Sequence, residues 1–160
     1  MRFRRTEIDH NRAFFNSLEK EDYSTMIRSD DTGKFVLRVT LGVLILLHGI
    51  AKLTGGGVGG IANMLSSHGI PGAVAYLVYV GEILAPVLLI AGIYTRVAAW
   101  IVAINMVFAI WLVHTGQVWD LGKSGGWALE LQGMYLFGAI TCAFLGAGRF
   151  SVGGTGGRYN

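Results

Sequence analysis

The sequence predicts an all-α membrane protein, a four-transmembrane-helix bundle with both termini on the cytoplasmic side and a charged cytoplasmic N-terminal tail. Three observations predict it. Apolar residues make up 52% of the 160 and charged residues only 14%, too few charges to clothe a soluble domain of this length. The apolar residues gather into four runs, about 35–53, 73–93, 97–114 and 127–145. Each is close to the ~20 residues that carry a helix across a ~30 Å hydrocarbon layer. The basic residues are distributed asymmetrically: eleven of the thirteen Lys/Arg fall on the side holding both tails, Arg38 and the Arg96 turn, which leaves Lys52 and Lys123 opposite.

The same composition excludes other classes. The net charge of +3 is scattered over tails and helix ends, with no basic face interleaved with aromatics, so nucleic acid is not a partner. Cys142 is the only cysteine, which rules out an intrachain disulfide and dithiol exchange by this chain alone. Residues 1–34 carry seven Lys/Arg and seven Asp/Glu without an apolar core, so they are neither signal peptide nor span but a disordered aqueous tail. The glycine-rich residues 148–160 read as a second, flexible tail, which bounds the transmembrane domain at 35–147.

The first span carries Arg38, His48 and Lys52 within an arc of roughly 80° at 3.6 residues per turn, so one of its faces is polar. Arg38 is expected to snorkel to the cytoplasmic headgroups and Lys52 to the opposite surface, whereas His48 is too short to do so. The run Gly55–Gly60 is a flexible link; no Gly-Lys-Ser/Thr follows it and no strand precedes it, which excludes a phosphate loop. Residues 61–68 suit a short interfacial or re-entrant helix closed by Gly69-Ile70-Pro71-Gly72. In the second span Glu82 is the sole carboxylate, and Pro86 stands four residues after it. A proline there cannot donate to the Glu82 carbonyl and crowds it, so that residue brings both an acid and a freed main-chain oxygen into the membrane.

Tyr94-Thr95-Arg96 turns tightly into the third span, making a helical hairpin. Asn105 and His114 are nine residues apart in that span and point to opposite sides of it. After the polar loop 115–125, the fourth span opens with Glu130 and Gln132, and Gly138, Cys142 and Gly146 repeat every four residues as a small-residue ridge. The two hairpins share no internal repeat, which disfavours a transporter.

Counting ~1.5 Å per residue from the span ends places His48, Lys52, Glu82, His114 and Glu130 in the middle and outer part of the bundle. A carboxylate or imidazole there can exchange protons that lipid cannot supply, as reduction of a quinone head group requires. His48 and Glu82 are the candidate catalytic pair, with Lys52, His114 and Glu130 at the outer mouth of the site. The other reading of the pair is a polar lock between helices, each such bond contributing about 0.6–2 kcal/mol. A bis-histidine haem through His48 and His114 is disfavoured by depths that differ by ~7 Å. No HxxxH-type spacing supports a metal.

The ordered set Leu37-Arg38, Gly42, His48-Gly49, Lys52-Leu53, Gly81-Glu82, Gly92, Thr95-Arg96, Met106, Ala109, His114, Glu130 and Gly146-Ala147-Gly148-Arg149-Phe150-Ser151 resembles the DoxX family of small four-helix membrane proteins. The resemblance covers roughly residues 35–151. It implies a multi-pass protein of the bacterial inner membrane, in a family with members tied to thiosulfate:quinone oxidoreduction and other membrane oxidoreductase complexes. It does not extend to thiosulfate, for which only Lys52 could serve as an oxyanion site. No flavin, haem or cluster motif is present, so no resident cofactor is expected in the chain. Quinone is the candidate substrate, and an oxidoreductase partner subunit or a homo-oligomer is the expected assembly. A non-enzymatic membrane scaffold or assembly factor is the alternative.

Overall fold

A computed structural model describes the backbone of residues 3–123, 125–157 and 159–160, with side chains described from Ser29 onward. Among the described residues the fold is all helical, with one isolated bridge between Leu121 and Trp127. Helix α1 runs over Phe3–Thr54, so the charged segment expected as a disordered tail continues the helix of the first span. Its apolar part is Ser29–Thr54. Gly56 and Gly57, with φ of 112° and 76°, turn the chain into the short helix α2, Gly59–Ser67. That helix lies where a re-entrant helix was expected, and Gly69, at φ 76°, ends it.

The second membrane-length segment, Gly72–Ala91, is not one regular helix. It begins as a tight 3-10 stretch, Gly72–Leu77, widens to a π turn over Val80–Leu84, and finishes as α3, Ala85–Ala91. Pro86 accounts for the wide turn, because its missing N–H leaves the Glu82 carbonyl without the partner that a regular α register would provide. The freed carbonyl lies directly against α1, where a Cβ on Gly49 would collide with it. Gly42, one heptad earlier, makes the same close approach, since a Cβ there would come within 2.7 Å of Ile90 and 3.0 Å of the Pro86 carbonyl. Two glycines on one face of α1 therefore let it pack tightly along the broken helix.

Helix α3 closes in a Schellman motif. The N–H of Gly92 bonds the Leu89 carbonyl at 3.1 Å, that of Ile93 bonds the Leu88 carbonyl at 3.0 Å, and Gly92 is left-handed at φ 71°. The chain then enters α4, Thr95–Val113. A loop with a 3-10 turn at Thr115–Gln117 leads to α5, Glu130–Leu145. The buried core joins small residues of α4 (Ala98, Ala99, Ala103) to small residues of α5 (Ala139, Cys142, Ala143), with Leu41 and Ile45 of α1 and Leu89 of α3.

Three segments, Ser29–Thr54, Gly72–Ala91 and Thr95–Val113, are long and apolar enough to cross a membrane. No more than 33% of any of their apolar windows is buried within the protein, so the remaining side chains need lipid around them. Helix α5 falls short of the expected 127–145. It has 16 residues, about 24 Å, because Trp127 is held in the preceding loop, where its indole Nε1 donates to the Val118 carbonyl at 2.7 Å.

Two sequence expectations are corrected at the Arg96 end of the bundle. Arg38 does not snorkel: it is 1% exposed and donates to the carbonyls of Leu89, Ile90 (2.7 Å) and Phe150 (2.6 Å). The last carbonyls of a helix have no partner within it, and Arg38 satisfies those of α3. Among the described residues of the glycine-rich C-terminal stretch, Val152, Gly153, Tyr159 and Asn160 are bonded to the bundle instead of lying free. Val152 and Gly153 donate main-chain N–H groups to Ala91 and Gly92, Arg96 bonds the Asn160 carbonyl, and Thr95 donates through Oγ1 to the Asn160 side chain at 3.0 Å. Arg96 also reaches the carbonyls of Ala143 and Phe144, so it caps α5 as Arg38 caps α3.

Candidate functional site

At the opposite end, α1, the π turn, α4 and α5 surround a cavity of about 220 Å³. Its polar lining is His48 and Lys52 from α1, Glu82 from the π turn, His114 at the end of α4, and Gln132 and Tyr135 from α5. The sequence explains each contribution. His48 and Lys52 are spaced i, i+4 and share a face of α1. The wide turn before Pro86 turns Glu82 inward, and Gln132 and Tyr135 are spaced i, i+3 on α5. Ile45, Met106, Ala109 and Leu131 supply the apolar remainder of the wall.

Glu82 lies in the floor with its side chain only 8% exposed, and its Oε2 accepts from Lys52 Nζ at 2.5 Å. Lys52 therefore turns into the cavity, where the sequence reading sent it to the outer surface. The reason is electrostatic: a carboxylate this buried is costly without a cation, and Lys52 of the adjoining helix supplies one. His48 stands at the exposed rim, with Nε2 3.4 Å from the Tyr135 hydroxyl and its ring edge-on to the tyrosine, centroids 5.8 Å apart. His114 is held between Gln117, at 2.9 Å from Nδ1, and Gln132, at 3.2 Å from Nε2.

The predicted residues thus fall into two sets. His48, Lys52, Glu82 and His114 share the cavity, although the direct partner of Glu82 is Lys52 and that of His48 is Tyr135. Glu130 does not line it. Its side chain is exposed and folds back toward Gly126, where a Cβ would collide with its carboxylate. Tyr135 was missed by the sequence reading, because a tyrosine in an apolar run looks like packing; its i+3 relation to Gln132 is the signal that could have found it. The half-turn separation of Asn105 and His114 appears as two destinations, for Asn105 lines a second, apolar cavity.

Chemically, the arrangement offers an ion pair in the floor, a phenol–imidazole contact at the rim and an imidazole between two amides. It can hold an oxygen-bearing ligand and exchange protons with it at several points.

The DoxX family model matches residues 33–115, just over half of the chain. Among curated proteins, the chain is 31% identical over 85 residues to "Putative oxidoreductase CatD" of Bacillus subtilis (strain 168), a match covering 53% of this chain and 62% of that protein. The chain thus spans less than two thirds of that relative's length. It is 32% identical over 116 residues to an uncharacterized protein of Haemophilus influenzae, covering 70% of this chain and 81% of the relative. No solved structure matches.

Proposed function

This chain belongs to the DoxX family, and on that premise we propose that it is an integral subunit of a bacterial inner membrane that assists quinone-linked redox chemistry. In this reading α5 completes a four-helix transmembrane bundle, and the end capped by Arg38 and Arg96 faces the cytoplasm, as its excess of basic residues favours. A quinone becomes a quinol by gaining two electrons and two protons. The electrons come from a partner subunit that carries a flavin, haem or metal cluster. The protons come through this chain, with His48 and Tyr135 handing them over at the rim, and Glu82 with Lys52 and His114 replenishing them from within.

The observation that carries the reading is the convergence of six polar side chains from three helices and the π turn on one cavity inside an otherwise apolar bundle. Intramembrane ionisable groups are costly, and their collection around open space instead of in a sealed contact favours chemistry over packing. Substituting Glu82→Gln should lower quinone-dependent electron flow at least about tenfold in membranes containing the partner, while the protein remains folded.

The alternative is a scaffold or assembly factor whose polar residues lock the helices. The observation favouring it is the 2.5 Å Lys52–Glu82 pair, which already gives each charge a partner. In that case Glu82→Gln lowers the unfolding temperature and recovery of the complex, without a direct change in electron flow.

A further inference from the structure

His114 sits between two side-chain amides, and that contact fixes the state of its ring. Its Nδ1–H donates to Gln117 Oε1 at 2.9 Å, and its bare Nε2 accepts from the Gln132 amide N–H at 3.2 Å. An uncharged imidazole has one donor nitrogen and one acceptor nitrogen, so the two amides must meet it with opposite ends, as they do. A charged imidazolium donates from both nitrogens, and one amide must then turn its oxygen inward. Gln117 already offers oxygen, and its main-chain N–H is tied to the His114 carbonyl at 2.9 Å. The amide that turns is therefore Gln132, by a half rotation about its last side-chain torsion, which for an amide is broad and roughly two-fold. Its Oε1 is not sealed in and has no hydrogen-bond partner among the described residues, so the rotation breaks no other bond.

We propose that Gln132, which lines the polar cavity, converts the charge on His114 into the hydrogen-bonding sense of the site and so selects between the two forms of its ligand. With His114 charged, the Gln132 NH2 faces the ligand and donates to a quinone carbonyl. With His114 neutral, Oε1 faces the ligand and accepts from a quinol hydroxyl. One residue thus favours the oxidised form while a proton is in place and the reduced form once that proton has left. The ligand's class rests on the redox reading above; the switch itself rests on two amides meeting one ring. Other titratable groups surround His114: His48 and Lys52 from α1, Glu82 from the π turn and Tyr135 from α5 line the same cavity. Asp120 lies in the loop that carries Gln117, its N–H on the Gln117 carbonyl, and Glu130 folds away toward Gly126. Each brings a pH dependence of its own, so the test isolates His114.

Two measurements on the full-length protein in nanodiscs test this. The first is nitrogen NMR of protein with isotopically labelled histidine, from about pH 5 to about pH 8, the range over which imidazoles change charge. The chain has four histidines, and the signal lost in His114→Gln is that of His114. Its neutral ring is expected in the Nδ1–H form, a readout on the wild type that does not depend on how Gln132 variants fold. The second is equilibrium binding of decylubiquinone and of decylubiquinol, with empty nanodiscs subtracted. In the wild type the preference for quinol over quinone should rise about tenfold from the low to the high end of that range. His114→Gln, which cannot change charge, and Gln132→Met, which keeps the length without the amide, should each flatten the rise. A neutral ring in the Nε2–H form, a wild-type preference that ignores pH, or a rise undiminished in Gln132→Met overturns the proposal. The nitrogen spectra need no quinone. If they show the Nδ1–H form while neither decylubiquinone nor decylubiquinol binds, the redox reading fails and the Gln132 switch stands.

Discussion

Arg38 and Lys52 lie on the same helix, fourteen residues apart, and meet opposite surroundings. Arg38 reaches main-chain carbonyls of α3 and of the C-terminal segment in a closed space; Lys52 reaches the side chain of Glu82 beside a cavity of about 220 Å³. The carbonyls capped by Arg38 are there whatever the side chains in α3 are, so that end of the bundle is built for stability. The partner of Lys52 is a titratable side chain with room for a ligand beside it. Two cations on one helix can therefore do two different jobs, and the kind of partner tells them apart.

If that contrast is right, substitutions at the two ends should differ in what they damage. The largest stability loss is expected from Arg38→Met, which leaves the Ile90 and Phe150 carbonyls without a donor and the Leu89 carbonyl with the Gly92 N–H alone: roughly 3 kcal/mol, seen as a lower unfolding temperature in detergent. Arg38→Lys should not restore it, because a single ammonium cannot span the fork that one guanidinium covers. Next comes Gly49→Leu, which forces a side chain onto the Glu82 carbonyl and should cost about 1–3 kcal/mol while separating α1 from the π turn. A double-mutant cycle on Lys52→Met and Glu82→Gln should give a coupling of about 1 kcal/mol, reduced by the partial exposure of Lys52. A coupling as large as the Arg38 effect would erase the distinction between the ends. His114→Ala should change stability least, by under ~1 kcal/mol, because it removes two amide contacts near the end of α4.

Much of this architecture was legible in the sequence, for a physical reason. Hydrocarbon demands long apolar helices, so the segments around α1, α3 and α4 declared themselves by length, and Pro86 marked the break beside Glu82. The inward turn of Glu82 was foreseeable because a carboxylate in lipid must face the protein, whereas His48 lies at the exposed rim against Tyr135. What could not be read was the identity of main-chain partners. Arg38 bonds carbonyls that lie 51, 52 and 112 residues away in the chain, and a carbonyl leaves no trace in residue type. The docking of Val152, Gly153, Tyr159 and Asn160 was hidden for the same reason: glycine-rich composition signals freedom, but these residues are tied down through backbone N–H groups and Asn160. Glu130 misled because depth along a helix does not say which way an exposed side chain folds. Lys52 misled because length allows a lysine to snorkel, and only the nearness of an acid decides that it does not.

The central claim is that the polar cavity acts on protons while the Arg38 end holds the bundle together. Its most direct test is Glu82→Gln measured for two quantities in the same membranes: quinone-dependent electron flow through the partner complex and the thermal unfolding of this subunit. The account predicts electron flow reduced at least about tenfold, the loss typical of removing a proton-transfer group being ~10²–10⁴-fold, with an unfolding temperature close to wild type. Full electron flow accompanied by a marked drop in unfolding temperature would contradict it and leave Glu82 as a bolt between helices.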